Sequence, residues 1–587
     1  MTDRLKSFGD PKKPSKVEKA KQASRHLRGS IDEVLHSDAP IFEHDDMQLL
    51  KFHGIYQQDD RDARAAGKAA GIGRQYSFML RLRIPGGVVS GDQYLAMDRL
   101  ADQVTFNSSL RITTRQAFQL HGVIKDTLKQ TMQRINRELL STMNGCGDVE
   151  RNIMAPPAPL KDSAHVAVRE LANELADRLA QKSNAYFEVW LDGEKVDTSE
   201  EADDLYGQAY LPRKFKTGIA LPDDNAADVY TQDVGLIAIP DAEGNIQGAN
   251  ILVGGGLGMT HKKPETYARL GSKLGYVDRE HIVDAVKTIV TIHRDFGDRS
   301  DRKHARLKYI VEEQGLDAVP AEFMERADFD LKPWVECGDA KHQDWLGKHE
   351  QGDGRFFYGV YVPSGRIIDG QTIRMKTAFG MIVEAIGCEV ILTPNQNVIF
   401  ADLTDEHVKQ LERILSAFNV PRVEDMTAVQ RYGMSCVALP TCGLALTEAE
   451  RVFGDVVKDL ETEFMRLGVE DSRMTVRMTG CPNGCARPYN ADIGLVGHKP
   501  GHYDIFLGGR LDGDRMAEFY AMNVPMDEIT PTLRPILERW AADRMPEETL
   551  GDFYNRVFAD GAERHLATGD RENPAIDRVQ AAWVGSG

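Results

Sequence analysis

The sequence predicts an α+β fold in which two similar halves, related by a pseudo-two-fold axis, are combined with two further mixed α/β units. A chain of 587 residues is longer than one hydrophobic core can organise. Two segments also recur along it in the same order. We therefore expect about three or four structural units, with the two halves facing each other across a shared cleft.

The first recurring segment is a strand followed by a tight turn. Residues 76–84 form a strand-like run that ends in Pro-Gly-Gly, and the later stretch FYGVYVPSGRIIDGQ repeats the arrangement with Pro-Ser-Gly. The second repeat is closer, because residues 111–121 align with residues 391–401. The matched positions are Pro85 with Pro363, Thr113 with Thr393, and Gln116 with Gln396.

The repeats divide the chain into an arm and four units. We expect residues 1–45 as an N-terminal arm, 46–150 as the first half, 151–335 as the first α/β unit, 336–425 as the second half and 426–587 as the second α/β unit. The start of the arm is polar and lysine-rich and contains Pro11 and Pro14. Such a composition favours a mobile, solvated tail over a segment that docks a partner.

The charge of the chain excludes two classes of partner. A net charge of -18 argues against nonspecific binding to nucleic acid or to an anionic membrane, since both require a cationic surface. Neither a membrane-spanning apolar stretch nor the hydrophobic region of a secretory signal is present. An odd count of seven cysteines fits a reducing compartment. We therefore expect a cytoplasmic protein.

Four cysteines form two close pairs. Cys436 and Cys442 give Cys-x5-Cys, and Cys481 and Cys485 give Cys-x3-Cys. Four thiolates, one for each iron, are what a cubane iron–sulfur cluster needs. The spacing alone also leaves a zinc site or buried free thiols open. The remaining cysteines, Cys146, Cys337 and Cys388, are expected to be core or loop residues.

Two predicted strands carry pairs of cations. Arg81 and Arg83 alternate with apolar residues and so share one strand face, as do Lys214 and Lys216. Alternation alone favours a solvated face for both pairs. In an acidic protein, however, any site for an anion must be built from local cations of this kind.

The sequence around the cysteines resembles the siroheme sulfite and nitrite reductases. The resemblance begins with Cys-x5-Cys and TGCPNGC. It continues in a consistent order over about residues 20–560, through LLKFHGIYQQDDRD, MLRLRIPGG, RITTRQAFQLHG, GDVERN, YLPRKFKT, LVGGGLG, GDRSDRKHARLKY and NQN. It implies duplicated ferredoxin-like halves and two α/β units that bind a siroheme and a [4Fe–4S] cluster. The single long chain is similar to the assimilatory rather than the dissimilatory type.

The resemblance also implies roles for individual residues. The four paired cysteines would hold the cluster, and Cys485 would also ligate the siroheme iron. Arg81, Arg151, Lys214 and Lys216 match the cations that contact the substrate, and Lys216 favours sulfite because related nitrite reductases tend to carry Asn there. The residues that match siroheme contacts are Arg111, Thr113, Arg115, Gln119, His121, Arg306, Gln396 and Asn483.

The implied activity is the six-electron reduction of sulfite to sulfide. The glycine run Ile251–Gly258 lacks the spacing of a dinucleotide fingerprint, so the electrons would come from a separate protein. The YQQDDRD block and the chain length favour an NADPH-linked flavoprotein, whereas CARPY is more similar to ferredoxin-dependent relatives. A ferredoxin-dependent sulfite reductase, a siroheme nitrite reductase, a dissimilatory relative and a zinc-stapled binding protein stay open as alternatives.

Overall fold

The computed structural model describes residues 13–182, 189–191, 194–196, 203–338 and 341–558. Three short helices begin this part of the chain: α1 (Lys16–Gln22), α2 (Ile31–Leu35) and α3 (His44–Leu50). The first half follows as β1 (Ile55–Asp59), α4 (Arg61–Ala70), β2 (Tyr76–Arg81), β3 (Val88–Val89), α5 (Gly91–Val104), β4 (Leu110–Ile112), β5 (Phe118–Val123) and α6 (Lys125–Arg137).

The first α/β unit contains α7 (Ser163–Arg178), β6 (Val189–Leu191), β7 (Glu194–Val196), β8 (Thr217–Ala220), β9 (Val234–Pro240), β10 (Ile246–Val253), β11 (Ser272–Asp278), α8 (Ile282–Phe296), α9 (Leu307–Gln314) and α10 (Ala318–Arg326). The second half contains β12 (Gly347–Glu350), β13 (Phe356–Val360), β14 (Arg366–Ile367), α11 (Met375–Ile386), β15 (Val390–Leu392), β16 (Val398–Leu403) and α12 (Asp405–Ala417). The second α/β unit contains α13 (Ala428–Tyr432), β17 (Met434–Ser435), α14 (Phe453–Leu467), β18 (Val476–Thr479), β19 (Ile493–Lys499), β20 (His502–Leu507), β21 (Glu518–Pro525), α15 (Ile529–Asp543) and α16 (Leu550–Phe558).

The two halves are duplicated and exchange their shortest strands. The first sheet has the order β1-β2-β5-β4-β14 and the second has the order β12-β13-β16-β15-β3. Each therefore takes its last strand from the other half: Arg366 of β14 pairs with Arg111 of β4, and Val89 of β3 pairs with Val390 of β15. One apolar core runs through both halves and includes Leu80, Phe118, Phe379 and Phe400 among its members. The predicted pseudo-two-fold α+β architecture is confirmed.

The turns between the exchanged strands require glycine at one position in each half. Gly87 has φ of 80° and Gly365 has φ of 73°. A Cβ atom on Gly87 would lie 2.2 Å from the carbonyl oxygen of Leu392, and one on Gly365 would lie 2.4 Å from that of Ile112. Each glycine thus lets one half pack directly against the backbone of the other.

The two α/β units also repeat each other. Parallel strands β8 and β9 in the first unit correspond to parallel strands β18 and β19 in the second. A short 3-10 turn connects each pair, Val229–Thr231 in one unit and Pro488–Asn490 in the other. Antiparallel strands β10 and β20 then extend the two sheets. The carboxyl ends of the parallel strands place the loops that follow at one edge of each sheet.

The described part of the N-terminal segment is not a solvated arm, and in this respect the prediction was wrong. Lys21 and Leu27 are buried, and the Lys21 ammonium donates to the carbonyl oxygen of Leu211 at 2.7 Å. Glu18 forms an ion pair of 2.5 Å with Arg299. Charges that suggest a tail in the sequence are therefore satisfied by buried partners that are remote in the chain. Residues 1–12 lie outside the described residues.

Among the described helices, none is long and apolar enough to span a lipid bilayer.

Candidate active site

The cysteine loops start where two parallel strands end. Cys436 follows β17, and Cys481 and Cys485 lie in the loop that follows β18. The Cys436 amide donates to the carbonyl oxygen of Met478 at 3.1 Å, which extends the pairing of the two strands. The Gly480 amide in turn donates to the sulfur of Cys436 at 3.3 Å. The parallel arrangement therefore brings the two cysteine pairs to one edge of the sheet.

The four thiols are close enough to influence one another. Burial, followed by the charges of Cys485 and Cys481, raises the pKa of Cys436 well above its ordinary value. Burial and Cys485 also raise the pKa of Cys481 to about 12, and burial raises that of Cys442. A bound metal supplies positive charge that lets such thiols lose their protons. The group therefore fits a metal centre rather than four free thiols.

The number of paired thiols fits a cubane cluster, which takes one thiolate on each of four irons. In the part of the chain that the structure describes, no three His, Cys, Asp or Glu side chains are grouped compactly enough to hold one metal ion. A zinc site draws its thiolates to about 2.3 Å from a single atom. A cubane cluster instead places one thiolate on each of four irons, which leaves the sulfurs further apart.

The four predicted substrate cations lie together beside the cysteines. Burial, then Arg213 and Arg306, lowers the pKa of Lys214 to about 7, and the charge of Cys485 opposes this shift. Burial and the neighbouring Lys214 lower the pKa of Lys216 well below its ordinary value. Arg151 is one of the charges that act on Lys214. Burial lowers the pKa of Arg81, at the end of β2, but the charges of Cys146, Tyr56 and Cys485 outweigh it, so the pKa is raised.

No described carboxylate serves these cations as a counter-ion. Within the described ranges, Arg81, Arg151, Lys214 and Lys216 form no ion pair with a carboxylate. The Nε atom of Arg81 is buried without a hydrogen-bond partner. Arg151 is buried and the other three cations are half-buried, and unpaired charge at such positions is costly, so this group of cations suits an anionic occupant. A polycarboxylate such as siroheme and a small oxyanion both fit this requirement.

Three further predicted residues form a chain of contacts on β4 and β5. Arg111 donates to the side-chain oxygen of Gln119 at 3.3 Å, and His121 lies 3.4 Å from the same oxygen. Arg111 also forms an ion pair of 3.1 Å with Glu450, from the segment that follows the first cysteine pair. Burial, then the charges of Arg366 and Arg111, lowers the pKa of His121 well below its ordinary value. This shift favours the neutral form of the histidine.

The turn from Thr113 to Gln116 touches the cluster loop. The Thr114 hydroxyl donates to the carbonyl oxygen of Cys485 at 3.0 Å. The Thr113 hydroxyl accepts the amide of Arg115 at 3.1 Å, and the Arg115 guanidinium donates to Gln232 at 2.6 Å. The turn is thus fixed on both sides, and Thr114 is a contact that the sequence did not single out.

Arg306 and Asn483 flank the glycine run, whereas Gln396 lies where the two halves meet. Arg306 forms an ion pair of 2.7 Å with Asp233, and Asn483 donates to the sulfur of Cys481 at 3.5 Å. A Cβ atom on Gly256 would lie 2.8 Å from Arg306 Nη2. Gln396 donates to the carbonyl oxygen of Ser364 at 3.2 Å, and its own side-chain oxygen is buried without a partner.

Sequence reasoning missed several residues of the cation pocket. Arg213 acts on the pKa of Lys214, but strand alternation places it on the face opposite Lys214 and Lys216, so that pattern did not include it. Burial raises the pKa of Tyr56. Cys146 also raises it, whereas Arg151 and Arg81 lower it. Cys146 is therefore close to the pocket as well as buried. No spacing rule connects Tyr56 and Cys146, because only the fold brings them together.

Comparison with known proteins identifies the family. A model described as "Nitrite/Sulfite reductase ferredoxin-like half domain" matches residues 72–138 and again residues 348–418, and one described as "Nitrite and sulphite reductase 4Fe-4S domain" matches residues 171–331. A sulfite reductase [NADPH] hemoprotein beta-component of Staphylococcus haemolyticus is 42% identical over 93% of this chain and 95% of its own. The chain belongs to the nitrite and sulfite reductase family.

A second relative is named for a different electron donor. A sulfite reductase [ferredoxin] of Synechococcus elongatus is 42% identical over 94% of this chain and 90% of its own. The solved structure of the Mycobacterium tuberculosis NirA protein covers 95% of this chain and 99% of its own with a TM-score of 0.75, at 21% identity, and so supports the fold.

As a member of the nitrite and sulfite reductase family, the chain is an oxidoreductase whose cofactors are a siroheme and a [4Fe–4S] cluster. The prediction of an enzyme with these two cofactors is confirmed, and the zinc-stapled binding protein is excluded. The two matches to the half-domain model also coincide with the two duplicated halves of the structure.

Proposed function

We propose that this member of the nitrite and sulfite reductase family is the hemoprotein of an assimilatory sulfite reductase, which reduces sulfite to sulfide with six electrons. The observation that supports this substrate is the group of pocket cations that lack carboxylate partners within the described residues. Sulfite is a small oxyanion, and its reduction consumes protons as well as electrons. A pocket of arginines and lysines beside Cys485 suits both demands.

The cysteines hold the cluster in this proposal. Cys436, Cys442 and Cys481 would each bind one iron, and Cys485 would bind the fourth iron and the siroheme iron together. When bound, the siroheme and the cluster supply electrons and an iron that takes the substrate. The loop around Cys485 is held by Thr114 from the first half, so the thiolate is oriented by two different units.

The arginines and the lysines would have different roles toward the substrate. The guanidinium groups of Arg81 and Arg151 would bind the sulfite oxygens, since their planar donors match an oxyanion. The ammonium groups of Lys214 and Lys216 would stabilise charge and deliver protons. With a pKa of about 7, Lys214 holds and releases a proton at neutral pH, as an efficient general acid requires.

The remaining predicted residues would form the wall around the siroheme. This group consists of Arg111, Thr113, Arg115, Gln119, His121, Arg306, Gln396 and Asn483. Arg111 and Arg306 already pair with carboxylates, so we propose that they offer their free N–H groups rather than an uncompensated charge. The buried unpaired atoms of Gln396 and His121 are available to a ligand.

The electron donor is proposed to be a separate NADPH-linked flavoprotein, with a ferredoxin as the alternative. Relatives named for each donor are equally similar, at 42% identity. We propose a cytoplasmic location, which suits an enzyme that depends on a soluble reductant. The second candidate substrate is nitrite, because the matched domain models cover reductases of both anions.

Assays of the purified holoenzyme test the substrate and the donor separately. Reduced methyl viologen should support faster turnover of sulfite than of nitrite at matched concentrations, and Lys216→Asn should shift the ratio toward nitrite. Lys409→Gln, an exposed lysine on α12, is the matched control and should leave the ratio unchanged. NADPH with a flavoprotein reductase should then restore turnover better than reduced ferredoxin. Faster turnover of nitrite by the unaltered enzyme would remove the sulfite assignment.

A further inference from the structure

Glu150 is a buried carboxylate beside the cation pocket. Only 1% of its surface is exposed, and it directly precedes Arg151 in the chain. The charges and titratable groups that face it are Arg115, Asp233 and Tyr206. Burial of a carboxylate at this depth is costly unless its oxygens are well bonded, so its contacts call for an explanation.

The carboxylate joins two chain segments that each supply pocket cations. One Glu150 oxygen accepts the amide of Arg151 at 3.0 Å and the amide of Thr217 at 3.0 Å. The other oxygen accepts the Thr217 hydroxyl at 2.8 Å. Thr217 directly follows Lys216. A single side chain thus ties the backbone at Arg151 to the backbone beside Lys216.

Arg115 links the same two segments by donating to their carbonyl groups. Its guanidinium donates to the carbonyl oxygen of Asn152 at 2.5 Å and to that of Thr217 at 3.1 Å. Glu150 therefore binds N–H groups and Arg115 binds carbonyl groups of the same two segments. Direct backbone hydrogen bonds, such as Arg151 to Phe215 at 3.0 Å, run between the segments as well. The two side chains together fix their register.

The guanidinium of Arg151 depends on this backbone. Its Nε atom donates to the carbonyl oxygen of Gly147 at 2.9 Å, and Nη1 donates to that of Gly145 at 3.2 Å. The orientation of the side chain therefore follows the conformation of its own loop. Movement of the loop relative to β8 would change the spacing between Arg151 and Lys216.

We propose that Glu150 is a positioning residue, which holds Arg151 and Lys216 at the spacing that an oxyanion requires. This inference rests on the proposed function, in which those two cations contact the substrate. Glu150 acts through its three accepted hydrogen bonds and does not contact the substrate itself. A misplaced binding group weakens substrate binding more than it slows the step that follows.

Three variants of the holoenzyme test the proposal. Glu150→Ala removes all three acceptor contacts and should raise the KM for sulfite about tenfold or more, with kcat reduced less than about threefold. Glu150→Gln retains an oxygen for both amides and should return the KM to within about threefold of the unaltered enzyme. Thr217→Val removes only the hydroxyl contact, and should raise the KM by about threefold even if Glu150→Ala does not fold.

Asp492 provides a matched control in the second α/β unit. Its carboxylate accepts the amide of Thr475 at 2.9 Å, the Thr475 hydroxyl at 2.5 Å and the amide of Gly551 at 2.8 Å. This pattern matches that of Glu150 without involving a pocket cation. Asp492→Ala should therefore lower stability and leave the KM unchanged. An equal rise in KM in this control would overturn the proposal.

Hydrogen exchange provides a readout that does not depend on the substrate. In Glu150→Ala, the Thr217 amide should exchange at least about tenfold faster, while in Glu150→Gln it should stay protected. The Arg151 amide keeps its bond to Phe215 and so does not report on the loss of the carboxylate. Unchanged exchange in Glu150→Ala, or failure of Glu150→Gln to restore the KM, would contradict the positioning role. If the unaltered enzyme preferred nitrite, the proposed function would fail, and the exchange data together with the KM for nitrite would still decide the role of Glu150.

Discussion

Arg487 and Asp228 occupy equivalent positions of the two α/β units and form a buried ion pair with an N–O distance of 2.7 Å. Each residue precedes the 3-10 turn of its unit, with φ of 55° for Arg487 and 50° for Asp228. Burial would raise the pKa of Asp228, but Arg487 and Arg477 outweigh it and lower the pKa. Arg487 follows Cys485 by two residues. The pair therefore connects the first unit to the cysteine loop of the second.

Removing one member of this pair should be costly. Arg487→Ala leaves the Asp228 carboxylate buried with a weaker set of partners, and we expect a loss of about 3–5 kcal/mol in the free energy of unfolding. Denaturation of the holoenzyme by urea measures the change. Arg413→Ala is the control, since Arg413 forms an exposed pair of 3.2 Å with Glu406 and its loss should cost less than about 1 kcal/mol. Similar losses in both variants would refute the connecting role.

The exchange of strands between the halves depends on Gly365. Gly365→Ala forces an L-residue into φ of 73° and brings a Cβ atom to 2.4 Å from the carbonyl oxygen of Ile112. We expect a loss of more than about 2 kcal/mol, because both the backbone strain and the contact with the other half oppose the change. Thermal unfolding would show it. Gly454→Ala in α14 meets open space and should stabilise the protein slightly, so a comparable loss there would contradict the interpretation.

Cys485→Ser tests the proposed bridge between cluster and siroheme. The serine oxygen is a poorer ligand for iron, so the electronic coupling of the two cofactors should be lost or strongly reduced. Visible and electron paramagnetic resonance spectra, together with iron and acid-labile sulfide contents, measure the effect. Cys388→Ser is the control, because Cys388 is buried in the core of the two halves and should leave the spectra unchanged. Normal coupling in Cys485→Ser would exclude Cys485 as the bridge.

The stability of the protein should depend on the ionisation of Glu150. Burial raises the pKa of Glu150 from 4.5 to about 7, and Thr217 and Arg115 oppose the shift. A carboxyl whose pKa is raised by folding contributes stability below its unfolded pKa, and this contribution is lost as the pH rises through the folded pKa. Relative to Glu150→Gln, the unaltered protein should lose about 3 kcal/mol between about pH 4.5 and pH 8. Urea denaturation over this range measures the difference, and a flat or opposite trend would contradict it.

The sequence predicted the features that repeat or lie close together in the chain. Thr113 and Gln116 match Thr393 and Gln396 in sequence, and the four residues occupy equivalent turns in the two halves. The pairing of β3 and β14 with the opposite halves was not predictable, because strand exchange leaves no local signal. Neither could the contacts of Lys21 and Arg111 be predicted, since their partners are remote in the chain.

The residues of the candidate site also divide into those that local sequence patterns identify and those that only the structure reveals. The cysteine spacing and the alternating lysines identified residues that the fold brings close together, since Cys485 acts on the pKa of Lys214. The roles of Glu150 and Tyr56 could not be read from their neighbours, because both depend on side chains contributed by other segments. Local patterns thus predicted the cations and thiols of the site, whereas the residues that position them required the structure.

The stoichiometry of sulfite reduction by the holoenzyme tests the proposed six-electron activity most directly. Reduced methyl viologen, a one-electron donor, would be oxidised in the presence of sulfite while the sulfide formed is trapped and counted. One sulfide should form for every six molecules of viologen oxidised, and turnover should be slower when nitrite replaces sulfite. Oxidation without sulfide, or faster turnover of nitrite, would contradict the proposed activity.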